Sequence, residues 1–222
     1  MIVIGDVAGQ FKALTALVDK FPKGEEVVLV GDLMDRGPDS NKVIEWAMTT
    51  PNVLTIGGNH EDLMVDHCRN QHRYEEGIWL MNGGGETINS YGFPLNGNVW
   101  DMKLLFKHIP EAHIAWLESL PLFIEREDVF ISHAPVSMFH KLEVAKTLPL
   151  ESGSSLVWNR SEPEKMEGKL QLFGHNANWK LRKFGSPDPW AICLDTSWDK
   201  VLTGYNTKTK EFYQQPYIEQ EK

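Results

Sequence analysis

A short apolar run that stops at a glycine or serine recurs along this chain, and each one delivers a residue with donor chemistry. Val28-Leu29-Val30-Gly31 delivers Asp32, with Asp35 and Arg36 following on the loop and Gly37-Pro38 ending it. Ile2-Val3-Ile4-Gly5 delivers Asp6, and Val53-Leu54-Thr55-Ile56-Gly57-Gly58 delivers Asn59, His60 and Glu61. Val129-Phe130-Ile131-Ser132 delivers His133, and Leu170-Gln171-Leu172-Phe173-Gly174 delivers His175. Short apolar runs bounded in this way read as buried strands. In open α/β sheets, ligands bind beyond the carboxyl ends of the strands. Strand ends presenting Asp, Asp, Asn, His and His offer oxygen and imidazole donors, which suit divalent Mn, Fe or Zn better than Ca. No cysteine is among them, so a structural thiolate zinc site is not indicated.

The runs come with helical spacing between them. Phe11, Leu14, Leu17 and Val18 fall on one face of a helix over Gln10 to Lys20, which Pro22-Lys23-Gly24 ends. Asp39 and Ser40 can cap a helix through about Met48, with Val43, Ile44 and Ala47 facing inward. Pro51-Asn52 then turns the chain into its third strand. Strand, helix, strand, helix, strand predicts right-handed parallel crossovers and an α/β fold.

Gly5-Asp6-Val7-Ala8-Gly9, Gly31-Asp32-Leu33-Met34-Asp35-Arg36-Gly37 and Gly57-Gly58-Asn59-His60-Glu61 resemble the three signature blocks of the phosphoprotein phosphatases, which are calcineurin-like metallophosphoesterases. Ser132-His133-Ala134 and Gly174-His175 resemble the two later histidine blocks. Trp79-Leu80-Met81-Asn82-Gly83-Gly84-Gly85 and Val157-Trp158-Asn159-Arg160 are similar to the bacterial and lambda-phage branch. The resemblance implies a two-sheet sandwich flanked by helices. It also implies two divalent metal ions, Mn fitting best and Fe or Zn suiting the same donors. Asp6 and Asp32 would hold the first ion; Asp32, Asn59, His133 and His175 would hold the second. His60 would be the general acid, oriented by Asp35. Arg36, Arg160 and Asn59 would bind the substrate phosphate.

One position departs from the family pattern. The first block of the family reads Gly-Asp-x-His-Gly, and this chain has Ala8 where the histidine, a ligand of the first metal, would stand. Two accounts are open: an engineered change that traps a ligand, or a natural residue that leaves the first site weakened. The expected activity is hydrolysis of a phosphoester by a metal-activated water, in the leading case on a protein phosphorylated at serine or threonine, and also at tyrosine. Alternatives are a hydrolase of dinucleoside polyphosphates or another nucleotide, and an inactive phosphate-binding protein if Ala8 is natural.

A single domain over residues 1–222 is expected, with positions 61 to 120, polar, aromatic and mainly helical in pattern, forming a cap over the site. The runs Trp100 to Ile109 and Glu111 to Leu120 read as helices, and Leu122 to Glu125 with Val129 to Ser132 as a hairpin. Ala191 to Asp195, Val201 to Tyr205 and Glu211 to Gln214 read as closing strands of a second sheet, with a polar, loose tail from Pro216. The net charge of −9 argues against a non-specific nucleic-acid or anionic-membrane surface, so local cations must draw phosphate in. Cys68 and Cys193 form no metal or redox motif. The first strand starts at Ile2 and no apolar run approaches the length of a membrane span, so a cytoplasmic location is expected. His67, His72, His108, His113 and His140 lack motif context and read as structural or surface residues.

Overall fold

The structure is a computed structural model that describes residues 1–75, 77–93, 108–137 and 142–219. Two five-stranded mixed sheets stack face to face. The first has the order β10-β9-β1-β2-β3, with β1 at Ile2–Ile4, β2 at Val27–Leu29, β3 at Val53–Thr55, β9 at Val201–Asn206 and β10 at Phe212–Pro216. The second has the order β4-β5-β6-β8-β7, with β4 at Phe123–Glu125, β5 at Val129–Ser132, β6 at Leu170–Phe173, β7 at Arg182–Phe184 and β8 at Ala191–Cys193. The strands that deliver the donor residues are parallel within each sheet: β1, β2 and β3 in one, β5, β6 and β8 in the other. Their carboxyl ends therefore point the same way and share one edge of the sandwich.

The period of two along each strand divides the core. Val3, Val28, Val30 and Ile56 from the first sheet meet Ile131, Leu172, Ile192 and Leu194 from the second, forming the layer between the sheets. Ile4, Val27 and Leu29 point the other way. They pack under α1 (Phe11–Val18) and α2 (Ser40–Thr49) through Leu14, Leu17, Val43 and Ile44. On the far side of the second sheet, Phe130 packs with Val136, Ala145 and Leu156. The two-sheet sandwich flanked by helices is the expected architecture.

Three local expectations change. β9 and β10 belong to the first sheet: β9 pairs antiparallel with β1, Ile2 opposite Asn206 and Ile4 opposite Gly204. β1 would otherwise be an open edge, and closing it satisfies a whole row of backbone donors and acceptors. The tail is not loose up to position 219 either. Pro216 ends β10, and the Tyr217 N–H donates to the Lys200 carbonyl at 2.7 Å. Ser40 is the first residue of α2, and its hydroxyl accepts the Asp35 N–H at 3.1 Å instead of capping the helix.

The segment after β3 is helical where described. α3 (Asn59–Arg69) runs directly from the donor loop, a π-helical turn at Leu80–Gly84 leads into α4 (Gly85–Ser90), and α5 covers Glu111–Glu118. The expected helix from Trp100 lies outside the described residues up to position 107. Leu63, Met64, Trp79, Ile88, Ile114 and Leu117 join the same core cluster as α1 and α2. The apolar face of the described part of this segment is thus continuous with that of the first helical layer. Among the described residues, no helix is long and apolar enough to cross a membrane.

Candidate active site

At the shared edge, the loops after β1, β2, β3, β5 and β6 turn sharply. Ala8, Asp32, Asp35, Arg36 and His175 all have positive φ, between 49° and 65°. For residues other than glycine such backbone costs roughly 1–2 kcal/mol apiece, and strain of this kind gathers where side chains must be aimed. Asp32, His133 and His175 are buried, and each offers one ligand atom within 4.8 Å of the others. The Oδ1 of Asn59 lies 3.0 Å from His133 Nε2. His133 Nδ1 lies 2.8 Å from the carbonyl of Val30, which places its proton there and turns Nε2 inward as a free donor pair. His175 Nε2 is buried with no hydrogen-bond partner. Burial, reinforced by His133, pushes the His175 imidazole down to about 3, so it stays neutral. Neutral imidazoles, one carboxylate and one amide oxygen aimed at a common point are a fit for a divalent cation.

Asp6 sits beside this group on β1's loop. Both its oxygens accept the His175 N–H at 3.2 Å. Its carboxyl is raised well above the usual range, first by burial and then by the charges of Asp195 and Asp32. Ala8 lines the cavity in front of it.

His60 is the second residue of α3, and its Nδ1 lies 2.5 Å from Asp35 Oδ2. Its Nε2 is 3.6 Å from Asp32 Oδ2 and 3.3 Å from the Arg36 guanidinium. Burial alone would lower the His60 pKa, but the charge of Asp32 and the Asp35 hydrogen bond outweigh it and raise it to about 9. Asp35 is itself clamped: Thr87 Oγ1 donates to Oδ1, Trp79 Nε1 donates to Oδ2 at 3.2 Å, and the Asp35 N–H donates to Thr87 Oγ1 at 3.0 Å. Glu61 supports the loop: it accepts the N–H groups of Asp32, Leu33 and Gly58 at 2.7–2.8 Å.

In front of these groups opens a cavity of about 1160 Å³. Arg36, Asn59, His60, Asp32, His175 and Arg160 line its floor and sides. Arg160 donates to the His175 carbonyl at 3.2 Å. All nine sequence-derived site residues are gathered at this edge. The opposite wall, from Ser197–Lys200 and Pro216–Glu219, was not foreseen. Neither was Asp195, although Ala191-Ile192-Cys193-Leu194-Asp195 is itself an apolar run that delivers a carboxylate.

Residues 1–204 match the family described as calcineurin-like phosphoesterase. The chain belongs to that family. It is therefore a hydrolase of phosphoesters, of a class that works with divalent metal. Among curated relatives it is 30% identical to serine/threonine-protein phosphatase 2 of Escherichia coli K12, over 87% of this chain and 85% of that protein. It is also 23% identical to the symmetrical bis(5'-nucleosyl)-tetraphosphatase of Vibrio campbellii, over 67% of this chain and about half (49%) of that protein. Among solved structures, a cold-active protein-tyrosine phosphatase of a psychrophilic Shewanella superposes with a TM-score of 0.57, covering 97% of this chain and 77% of that one at 18% identity. That likeness concerns the fold.

Proposed function

We propose that this metallophosphoesterase is a phosphomonoesterase acting on phosphorylated serine or threonine, and also tyrosine, in proteins. The observation that carries the reading is one mouth onto which a cation-binding group, a carboxylate-paired histidine and two arginines converge. The 30% identity to a serine/threonine phosphatase across nearly the full length supports the protein substrate.

Asp32, Asn59, His133 and His175 would hold the second divalent ion, and Asp6 with Asp32 the first, which the lack of a histidine at position 8 weakens. Mn fits the resemblance to the lambda-phage branch, and Fe or Zn suits the same donors. When bound, such ions neutralise phosphoryl oxygens and acidify a water. The chain's own residues do the rest. Arg36 and Arg160, exposed at the cavity wall, offer forked donors matched to phosphoryl oxygens, and Asn59 adds its amide. His60 gives a proton from Nε2 to the departing oxygen of the seryl or threonyl side chain. Asp35 keeps Nδ1–H engaged, so the imidazole stays oriented and charged until that transfer. Thr87 and Trp79 fix Asp35 in turn.

A second reading has one observation in its favour. Trp198, 56% exposed, stands on the cavity wall, and Trp179, 65% exposed, lies beside it at a ring distance of 6.1 Å. An exposed ring at that wall can stack a nucleobase, as a dinucleoside polyphosphate would require. The two readings separate in one assay. The chain and its Ala8→His variant, each with Mn²⁺, are given phosphoserine, phosphothreonine and phosphotyrosine peptides beside diadenosine tetraphosphate. The expected result is a higher kcat/KM on the peptides. Faster cleavage of the dinucleotide moves the assignment to nucleotides, and no hydrolysis by either protein makes the chain a phosphate-binding protein.

A further inference from the structure

α3 ends at Asn70, whose left-handed backbone turns the chain back along the helix it has just left. The returning segment is fastened to the side of α3. The Gln71 N–H donates to the Asp66 carbonyl at 3.0 Å, and the Arg73 N–H donates to Asp66 Oδ1 at 2.9 Å. The Arg73 guanidinium donates to Asp62 Oδ1 at 2.6 Å. Tyr74 sets its hydroxyl on the other oxygen of the same carboxylate, donating to Asp62 Oδ2. The phenol oxygen is then an acceptor, and Trp158 Nε1 donates to it at 2.9 Å. Chemistry fixes the order of these bonds. An indole N–H can only donate and an ionised carboxylate can only accept, so the Tyr74 hydroxyl must do both.

Trp158 carries these contacts into the site. Its ring stands 5.8 Å from that of Tyr74 on one side and meets the His175 ring edge-on at 6.1 Å and 89° on the other. Two residues further on, Arg160 donates to the His175 carbonyl at 3.2 Å. Residues 158–160 thus grip His175 at both its ring and its carbonyl, and Asn159 between them pins the backbone by donating to the Pro135 carbonyl at 2.7 Å. Asp62 belongs to the first turn of α3, with Asn59 and His60, whereas residues 158–160 lie between β5 and β6. The relay from Asp62 through Tyr74 to Trp158 therefore ties the helix of the proton donor to the loop of an arginine on the opposite sheet. We propose that Tyr74 is a positioning residue, whose hydroxyl bridge to Trp158 holds Arg160 in register with Asn59 and His60 across the cavity. This rests on the phosphate-binding role of Arg160 given above and deepens it. Tyr74 does not line the cavity and acts through Trp158.

The test titrates inorganic phosphate into the Mn²⁺-saturated chain and reads its affinity by calorimetry. Tyr74→Phe keeps the ring and removes one oxygen, and phosphate affinity is expected to fall about tenfold. In an Arg160→Ala background the same change should alter phosphate affinity by less than about twofold, because the side chain through which it acts is gone. Tyr91→Phe is the control. It also removes a half-buried hydroxyl, one that lies 2.7 Å from His113 Nδ1, and neither residue lines the cavity. It should leave phosphate affinity within about twofold of the original while lowering the melting temperature as Tyr74→Phe does. Unchanged phosphate affinity in Tyr74→Phe would overturn the inference. So would a tenfold loss that persists undiminished in the Arg160→Ala background, or an equal loss in Tyr91→Phe. Failure of the unsubstituted chain to bind phosphate, or equal binding by Arg160→Ala, would instead bring down the reading of the cavity on which the inference rests.

Discussion

His60 reaches the cavity with its two ring nitrogens in different surroundings. Nδ1 is tied to Asp35 at 2.5 Å, while Nε2 is left toward Asp32 and Arg36. A metal ligand needs an unprotonated nitrogen at the ion, whereas a proton donor needs the opposite. The rise of the His60 pKa to about 9, with Asp32 and Asp35 prevailing over burial, keeps the ring protonated at neutral pH, and His175 is kept neutral. Environment thus leaves one histidine suited to give a proton and two suited to bind a cation. His60→Asn is accordingly expected to lower turnover by roughly 10²–10⁴ while leaving metal content near its original value. Metal analysis of the purified variant beside its kcat checks this; loss of an ion in step with activity would make His60 a ligand. The residues of this division were readable in sequence because each follows an apolar run. The clamp on Asp35 was not, because Thr87 and Trp79 lie 52 and 44 positions away and reach it only through tertiary packing.

The π-helical turn and α4 act as the buttress of the Asp35 loop. Gly83 sits at φ 108°, and a Cβ there would come within 3.1 Å of the Arg36 nitrogen and 3.2 Å of Asp35 Cβ. The triple glycine is therefore a close-approach device against the back of the loop that carries Asp35 and Arg36. Gly92 also has positive φ, but a Cβ there would meet nothing within 4 Å. The pair separates backbone strain from steric displacement. Both Gly→Ala changes should destabilise by about 1–3 kcal/mol through backbone strain. Only Gly83→Ala should also lower kcat, by roughly tenfold or more, because only it pushes on Asp35 and Arg36. Denaturant melts and steady-state kinetics on the two variants measure both effects. Equal activity in both would show that the glycine turn positions nothing. The triple glycine could be read from the sequence alone. Which sheet took β9 and β10 could not, since Val201-Leu202-Thr203-Gly204-Tyr205 alternates equally well for either sheet. The choice was made by the unpaired edge of β1 at the other end of the chain.

On the scale of the molecule, the donors come from both layers of the sandwich. Asp6, Asp32 and Asn59 stand on the loops of β1, β2 and β3, whereas His133 and His175 stand on those of β5 and β6. Between the sheets the contact is apolar, through Val3, Val28, Val30, Ile131 and Leu172. At the shared edge it changes to the buried carboxyls of Asp6, Asp32 and Asp195. Buried carboxylates repel one another, and a cation held by Asp32 from one sheet and His133 and His175 from the other would offset that repulsion and link the two layers. Metal binds the folded chain and finds no preformed site in the unfolded one, so its binding energy adds to folding stability. At a free concentration 100 times Kd, one ion contributes about 2.7 kcal/mol. For a domain of this size that corresponds to roughly 5–10 °C in Tm. Scanning calorimetry of chelator-treated protein with and without Mn²⁺ should show a rise of this order. The rise should grow with the logarithm of metal concentration, and His133→Ala should abolish most of it. A Tm indifferent to metal in the unsubstituted chain would mean that the two sheets are joined by their apolar interface alone.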